Sequence, residues 1–155
     1  MFRSPARLFR VLAIAEAITW TLLIGALIAR AVGAVPVLVT IAGGIHGFVF
    51  LSYGATAVLL AFHQRWHVGV AITTIASAIV PYMTIPVEIW LHRTGRLEGD
   101  WRMTETDDPR DHTWYDRTMR WFLHRPWVLA VLILVVIVAI FSILLLIGPP
   151  QLPGK

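Results

Sequence analysis

The sequence contains no cysteine and few charged residues, and both shortages narrow what the protein can be. Without cysteine the chain has no disulfide, no thiolate metal site and no cysteine nucleophile. Charged residues make up 14% of the 155 residues, against about 25% in ordinary soluble domains. Fourteen of the charges lie between Arg93 and Arg125, so long stretches elsewhere carry none. This distribution excludes a disordered chain, a nucleic-acid-binding domain and a water-soluble globule, and it indicates an integral membrane protein.

Four apolar stretches are long enough to cross a bilayer as helices. The first lies between Arg10 and Arg30, and the others cover about 36–62, 68–91 and 126–147. About 20 helical residues span the hydrocarbon core, and these stretches do not alternate polar and apolar residues as barrel strands do. The sequence therefore predicts an all-α integral membrane bundle of four transmembrane helices.

The polar loop between the third and fourth stretches has a pattern of its own. At helical spacing its second half places an aromatic stripe on one face and charged residues on the other. The stripe contains Trp114, Tyr115, Trp121 and Phe122, opposite Asp116, Arg117 and Arg120. This pattern is typical of a helix in the membrane interface, where Trp114 and Trp121 would be the anchors.

The predicted organisation therefore has three parts. They are a three-span membrane domain (1–92), a polar loop with an interfacial helix (93–125), and a fourth span with a short tail (126–155). The tail over 148–155 contains Pro149, Pro150 and Pro153 and is not expected to continue the helix. With four spans, the charges of the loop favour a cytoplasmic loop, whereas the basic start of the first span favours the reverse orientation.

Two ionisable residues lie deep in the predicted spans, and such residues are functional candidates. Glu16 lies in the first span, and His46 lies near the centre of the second. Phe50 and Tyr53 follow His46 at i+4 and i+7, on the same helical face. A hydrogen bond between helices is the simpler interpretation of these residues, and a ligand or proton site is the alternative.

Several contacts can be predicted from depth and spacing. Counting the rise per residue places Glu16 and Tyr53 at similar depth, facing each other. Gly43 and Gly47, four residues apart, should let a neighbouring helix approach closely. The remaining expectations are hydrogen bonds to Glu16 from Thr73, Thr74 and Ser77, an ion pair between Glu88 and Arg30, and kinks at Pro81 and Pro86.

Some of these residues resemble a family of bacterial membrane proteins, domain of unknown function 3817. The resemblance covers about 7–92, and Ala17 departs from it because the family usually has glycine there. It implies a three-span membrane unit, to which the loop and the fourth span are additions, and it implies no established activity. The matching residues are Phe9-Arg10, Glu16, His46-Gly47, Phe50, Tyr53 and Pro81.

With this resemblance, the leading interpretation is a non-enzymatic accessory or scaffold subunit of the bacterial inner (plasma) membrane, with a polar core. That core would contain Arg10, Glu16, His46 and Tyr53. No cofactor or metal is expected, because His63 and His67 have the i, i+4 spacing of a metal clip but no evident third ligand. The expected partners are the lipid bilayer and either further copies of the chain or a larger membrane complex, without nucleic acid.

Two alternatives remain open. The segment Leu12–Glu16 resembles the start of small multidrug resistance transporters, which have one essential glutamate in the first helix. A proton-linked transporter would use Glu16 by letting a proton and a cation compete for the buried carboxylate. A membrane enzyme or quinone-binding subunit that uses His46 is the third interpretation.

Overall fold

All the regular secondary structure in the described part of the chain is helical. The computed structural model describes residues 4–33, 35–105 and 112–147. Three helices are long and apolar enough to cross a membrane: α1 (Pro5–Ala31), α2 (Val37–His63) and the last helix, Pro126–Ile147. The predicted all-α membrane bundle is thereby confirmed. The tail over 148–155, for which no helix was expected, lies outside the described residues.

The helices α1 and α2 form an antiparallel hairpin around which the rest is built. The hydroxyl of Ser4 caps α1 by accepting from the backbone N–H of Arg7, and Pro5 occupies the first turn, where its missing N–H costs nothing. Each helix has 27 residues, which corresponds to about 40 Å and exceeds the hydrocarbon thickness of about 30 Å. The ends of both helices therefore reach the headgroup region.

The third apolar stretch is broken into two shorter helices. Helix α3 (Val68–Ala76) passes into a 3₁₀ turn over Ser77–Ile79, and helix α4 begins only at Thr84 and ends at Arg93. Pro81 has no N–H to donate, and Tyr82 has a φ of 64°, in the left-handed region that side chains rarely adopt. The helix cannot continue through these two residues. Where a kink was expected at Pro81, the helix therefore ends and the chain changes direction.

Contacts with α1 give the direction in which α4 runs. Glu88 pairs with Arg10 near the start of α1, and the hydroxyl of Thr84 donates to the carbonyl of Ala13. Farther along α1, Trp20 donates to the carbonyl of Ala78. The residue numbers thus fall along the third stretch as they rise along α1, so that α4 runs antiparallel to α1. Since α3 runs antiparallel to α2, the third stretch is a re-entrant hairpin and not one continuous span.

The re-entrant hairpin decides which connections share a face of the bundle. The indole N–H of Trp66 donates to the carbonyl of Arg96, and the side chain of Gln64 donates to the carbonyl of Glu98. The link over 64–67, the segment over 94–105 and the start of α1 therefore lie together, on what we call the loop face. The link over 32–36 lies on the opposite face. Three spans plus a hairpin place the start of α1 and the end of the last helix on opposite faces.

Two further helices complete the fold. Helix α5 (Trp114–His124) lies on the loop face, and α6 (Pro126–Ile147) follows it across the bundle. The buried core lies between α1, α2 and the re-entrant hairpin, and it includes Phe9, Tyr53, Leu60 and Leu91. By contrast, most described side chains of α6 are exposed, with Ile137 buried. Helix α6 therefore presents most of its apolar surface to lipid.

Candidate functional site

His46 is the centre of the polar cluster between α1 and α2. Its Nδ1 atom lies 3.1 Å from the hydroxyl of Thr19 and 3.8 Å from Oε2 of Glu16. The ring of Trp20 packs on the imidazole at a centroid distance of 4.5 Å. Thr19 and Trp20 both belong to α1, one turn beyond Glu16, so that three residues of α1 contact the imidazole. The imidazole is thereby fixed in orientation at mid-depth.

Glu16 is fully buried beside His46. Neither carboxylate oxygen has a hydrogen-bond partner among the described residues. An isolated carboxylate is costly in an apolar interior, so that Glu16 must be either neutral or balanced by a protonated imidazole. With a proton on either partner, the Glu16–His46 pair has no net charge. The arrangement can therefore hold one exchangeable proton within the membrane-spanning hairpin.

Tyr53 has partners other than the one predicted for it. Its hydroxyl lies 3.0 Å from the hydroxyl of Ser77 and donates to the carbonyl of Thr74 at 3.3 Å, while its ring packs on Phe9 at 5.0 Å. The hydrogen bonds expected between Glu16 and Thr74 or Ser77 are not formed, and Thr73 is exposed. Depth counting assumed two helices centred in the bilayer. Packing instead pairs Tyr53 with Phe9, two turns before Glu16.

Arg10 and Glu88 form an ion pair at the end of the bundle near the loop face. Nε of Arg10 lies 3.0 Å from Oε1 of Glu88, with side chains 54% and 5% exposed respectively. Sequence analysis had paired Glu88 with Arg30, on the assumption that the third stretch crosses the membrane. Because α4 returns toward the start of α1, Glu88 meets Arg10 instead. Arg10 therefore pairs with Glu88 at the loop-face end of the bundle, and among the described residues it has no polar contact with Glu16 or His46.

The two glycines of α2 face different helices. A Cβ atom added to Gly43 would lie 3.9 Å from Leu23 of α1, whereas one added to Gly47 would lie 3.2 Å from the ring of Phe141 in α6. The two glycines therefore do not contact the same neighbouring helix. Gly47 permits the close approach of α6.

Trp20 and Thr84 carry contacts that sequence analysis missed. The indole of Trp20 donates to the carbonyl of Ala78, and the hydroxyl of Thr84 donates to the carbonyl of Ala13. The first bond satisfies a backbone group at the break in the third stretch, where helical bonds are lost. The available signal was the placement of hydrogen-bonding side chains in the middle of apolar stretches. His63, rejected above as a metal ligand, accepts from the backbone N–H of Arg102 at 2.8 Å.

Helix α5 is present where an amphipathic helix was predicted, and its location in the membrane interface stays a prediction. Asp116 points inward and is buried, where it bonds Arg65 at 3.2 Å and Arg102 at 3.0 Å. Trp114 and Trp121 point outward, with 78% and 47% of their surface exposed. The buried carboxylate of Asp116 thus joins α5 to the bundle through Arg65 and Arg102.

A large apolar cavity lies beside this polar core. It has a volume of about 820 Å³ and lies between α1, α2 and α6. Leu12, Phe48 and Ile133 are among its lining residues, and neither Glu16 nor His46 lines it. The cavity and the Glu16–His46 pair are therefore separate features of the bundle.

The chain belongs to the family described as domain of unknown function 3817, whose profile matches residues 6–93. A protein of Streptomyces coelicolor, named as a membrane protein, is 39% identical to this chain over 93 residues. That match covers 59% of this chain and 11% of the relative, so that the chain spans about a tenth of the relative's length. No solved structure matches the chain. The protein is thus a bacterial-type membrane protein, and the family description assigns it no activity.

Proposed function

We propose that this family member is a non-enzymatic accessory or scaffold unit of the bacterial inner membrane. The observation that supports this role is how the core uses its polar groups. Tyr53, Trp20 and Thr84 all bond backbone carbonyls, and two of these carbonyls belong to the re-entrant hairpin. The polar groups thus hold an unusual backbone shape in place, as expected where irregular structure lies at membrane depth. The long Streptomyces relative adds support, because there the matched unit is a small part of a larger protein.

The charges support an orientation for this unit. Of the ten arginines in the described residues, nine are on the loop face or on helix ends next to it, and Arg30 is at the other end of α1. By the positive-inside rule, this distribution favours a cytoplasmic loop face. A cysteine introduced for Glu98 should react with an impermeant maleimide only after the cells are permeabilised. Reaction in intact cells would reverse the orientation.

A second candidate function is proton-linked transport through Glu16. The observation in its favour is that both carboxylate oxygens of Glu16 are buried without a hydrogen-bond partner in the described chain, 3.8 Å from His46. Half-helices that meet at mid-depth are a common feature of secondary transporters. A transporter would need an aqueous route to Glu16, and the apolar cavity does not reach that residue.

Glu16→Gln separates the two functions, since glutamine keeps the size of the side chain but cannot release a proton. For the accessory role, the protein purified in mild detergent should carry a partner protein in fixed stoichiometry, and the variant should retain that partner. Tyr53→Phe, which loosens the hairpin, should weaken retention. For transport, Glu16→Gln should abolish proton-coupled flux in proteoliposomes. The absence of any stoichiometric partner, together with flux that depends on Glu16, would overturn the accessory role.

A further inference from the structure

Two neighbouring hollows at the loop face meet at one residue, Met103. The first is the apolar cavity of about 820 Å³ between α1, α2 and α6. The second is a smaller polar hollow under α5, and Met103 lines both. The polar hollow is otherwise lined by Glu105, Arg117, Arg120, Trp121, His124 and Arg125.

We propose that the two adjoining hollows together bind one anionic phospholipid from the leaflet on the loop face. One acyl chain occupies the apolar cavity, and the phosphate headgroup lies against the arginines of the polar hollow. An amphiphile with a negative end matches this pair of hollows, because one is apolar and the other is basic.

The length of the cavity fits a single leaflet. Its lining along α6 extends from Pro126 at the loop face to Ile137, a distance of about 16 Å at the helical rise of 1.5 Å per residue. Half of the hydrocarbon core is about 15 Å. The cavity therefore ends near the midplane, where the acyl chain of a lipid in that leaflet also ends.

The charges of the polar hollow favour a phosphate over a neutral group. Among the described residues, three arginines and one carboxylate, Glu105, line the polar hollow. Arg120 lies 3.6 Å from that carboxylate, which balances one of the three charges. The guanidinium of Arg125 stacks over the ring of Trp121 at 4.9 Å, and this contact fixes the guanidinium beside the polar hollow. Guanidinium groups bind phosphate oxygens through paired hydrogen bonds.

The charge of the polar hollow argues against a helix of a second copy as the occupant. An apolar helix in the cavity would leave the arginines of the polar hollow without a negative partner. A lipid chain with a charged end fits both hollows.

The headgroup arm of the test measures binding of phosphatidylglycerol and phosphatidylcholine to the delipidated full chain by native mass spectrometry. We expect phosphatidylglycerol to bind at least tenfold more tightly. The double variant Arg117→Gln/Arg125→Gln should weaken phosphatidylglycerol binding by about thirtyfold, since each arginine near the surface contributes about a fivefold attraction. The matched control, Arg7→Gln/Arg93→Gln, removes two arginines of the loop face outside the hollow and should leave binding within about twofold.

The acyl-chain arm fills the cavity while the charges stay intact. Ala130 lines the cavity, whereas Val135 of the same helix does not. Ala130→Trp should lower the affinity for phosphatidylglycerol at least tenfold, and Val135→Trp should not change it. Circular dichroism of both variants checks that the helices are retained. Equal binding of the two lipids, equal effects of the two tryptophans, or a dimer mass in place of the lipid adduct would each overturn the proposal.

Discussion

The helices in the two halves of the molecule are held in place by different kinds of contact. In the first region (α1 to α4, Pro5–Arg93), side chains bond the backbone of neighbouring helices, and large residues such as Tyr53 and Leu91 are fully buried. In the second region (α5 and α6, Trp114–Ile147), one buried carboxylate, Asp116, joins α5 to the bundle, and most described side chains of α6 are exposed. The family match ends with the first region, at residue 93.

The contrast follows from what lipid does to helix packing. Lipid tails are as apolar as leucine, so that burial of an apolar side chain against another helix gains little in a membrane. Close packing and hydrogen bonds therefore decide which helices associate firmly. The first region has both kinds of contact, whereas α6 contributes mainly aliphatic side chains. The first region should thus keep its structure under changes that release the second.

The largest expected effect concerns the direction of the third stretch. The chain has no cysteine, so that single-cysteine variants have no background. With an impermeant maleimide, His67→Cys and Glu98→Cys should label from the same side of the membrane, and Val35→Cys from the other. Labelling of positions 67 and 98 from opposite sides would instead require a continuous third span.

The next largest effect is the loss of Tyr53. This side chain is fully buried, packs on Phe9 and bonds the hairpin. Tyr53→Ala should destabilise the first region by roughly 3–5 kcal/mol, measured as a lower unfolding midpoint in mild detergent.

Two controls sharpen this result. Tyr53→Phe removes the hydroxyl alone and should cost about 1–3 kcal/mol. Phe141→Ala in α6 should cost less than Tyr53→Ala, because lipid tails can enter the space that the half-buried ring leaves. If Phe141→Ala lowered the free energy of unfolding as much as Tyr53→Ala, the two regions would be packed equally tightly.

A smaller effect is expected at the junction of the two regions. Asp116→Ala removes the partner of Arg65 and Arg102, whose side chains are 24% and 31% exposed. The docking of α5 should weaken by about 1–3 kcal/mol, seen as faster proteolysis between α4 and α5. The unfolding midpoint of the first region should stay unchanged, and Asp116→Asn should lie between the wild type and the alanine variant. Unchanged proteolysis would show that the ion pairs do not hold α5.

The smallest effects concern the two glycines of α2. Gly47→Ala brings a Cβ atom to 3.2 Å from the edge of Phe141, and the ring can shift, so we expect a loss of at most about 1 kcal/mol. Gly43→Ala meets Leu23 at an ordinary 3.9 Å and should be neutral or stabilise by up to about 1 kcal/mol. Comparison of the two unfolding midpoints measures how easily α6 moves to accommodate an added methyl group. A loss above about 3 kcal/mol at Gly47 would mean that α6 is fixed.

Sequence reasoning located the helices and the main ionisable residues, and it misjudged which of them meet. Glu16 and His46 were identified because charged and imidazole groups are rare at membrane depth, and their proximity of 3.8 Å follows from the antiparallel α1–α2 hairpin. The partner of Glu88 depended on whether the third stretch crosses the membrane. Its length, about 24 apolar residues, favoured a crossing, although Pro81 lies near its middle. Proline predicts a kink without specifying the angle.

The sequence by itself determined that this protein is a helical membrane protein, because only helices or closed barrels satisfy the backbone in lipid, and its stretches do not alternate. It also located Glu16, His46 and α5. Only the tertiary structure decided that the third stretch returns to the face it entered from. That outcome depends on donors from α1 and α2, such as Trp20 and Tyr53, that reach backbone carbonyls at the end of α3 and in the 3₁₀ turn. Hydrogen bonds between distant residues leave no periodic pattern in a sequence, whereas long apolar stretches do.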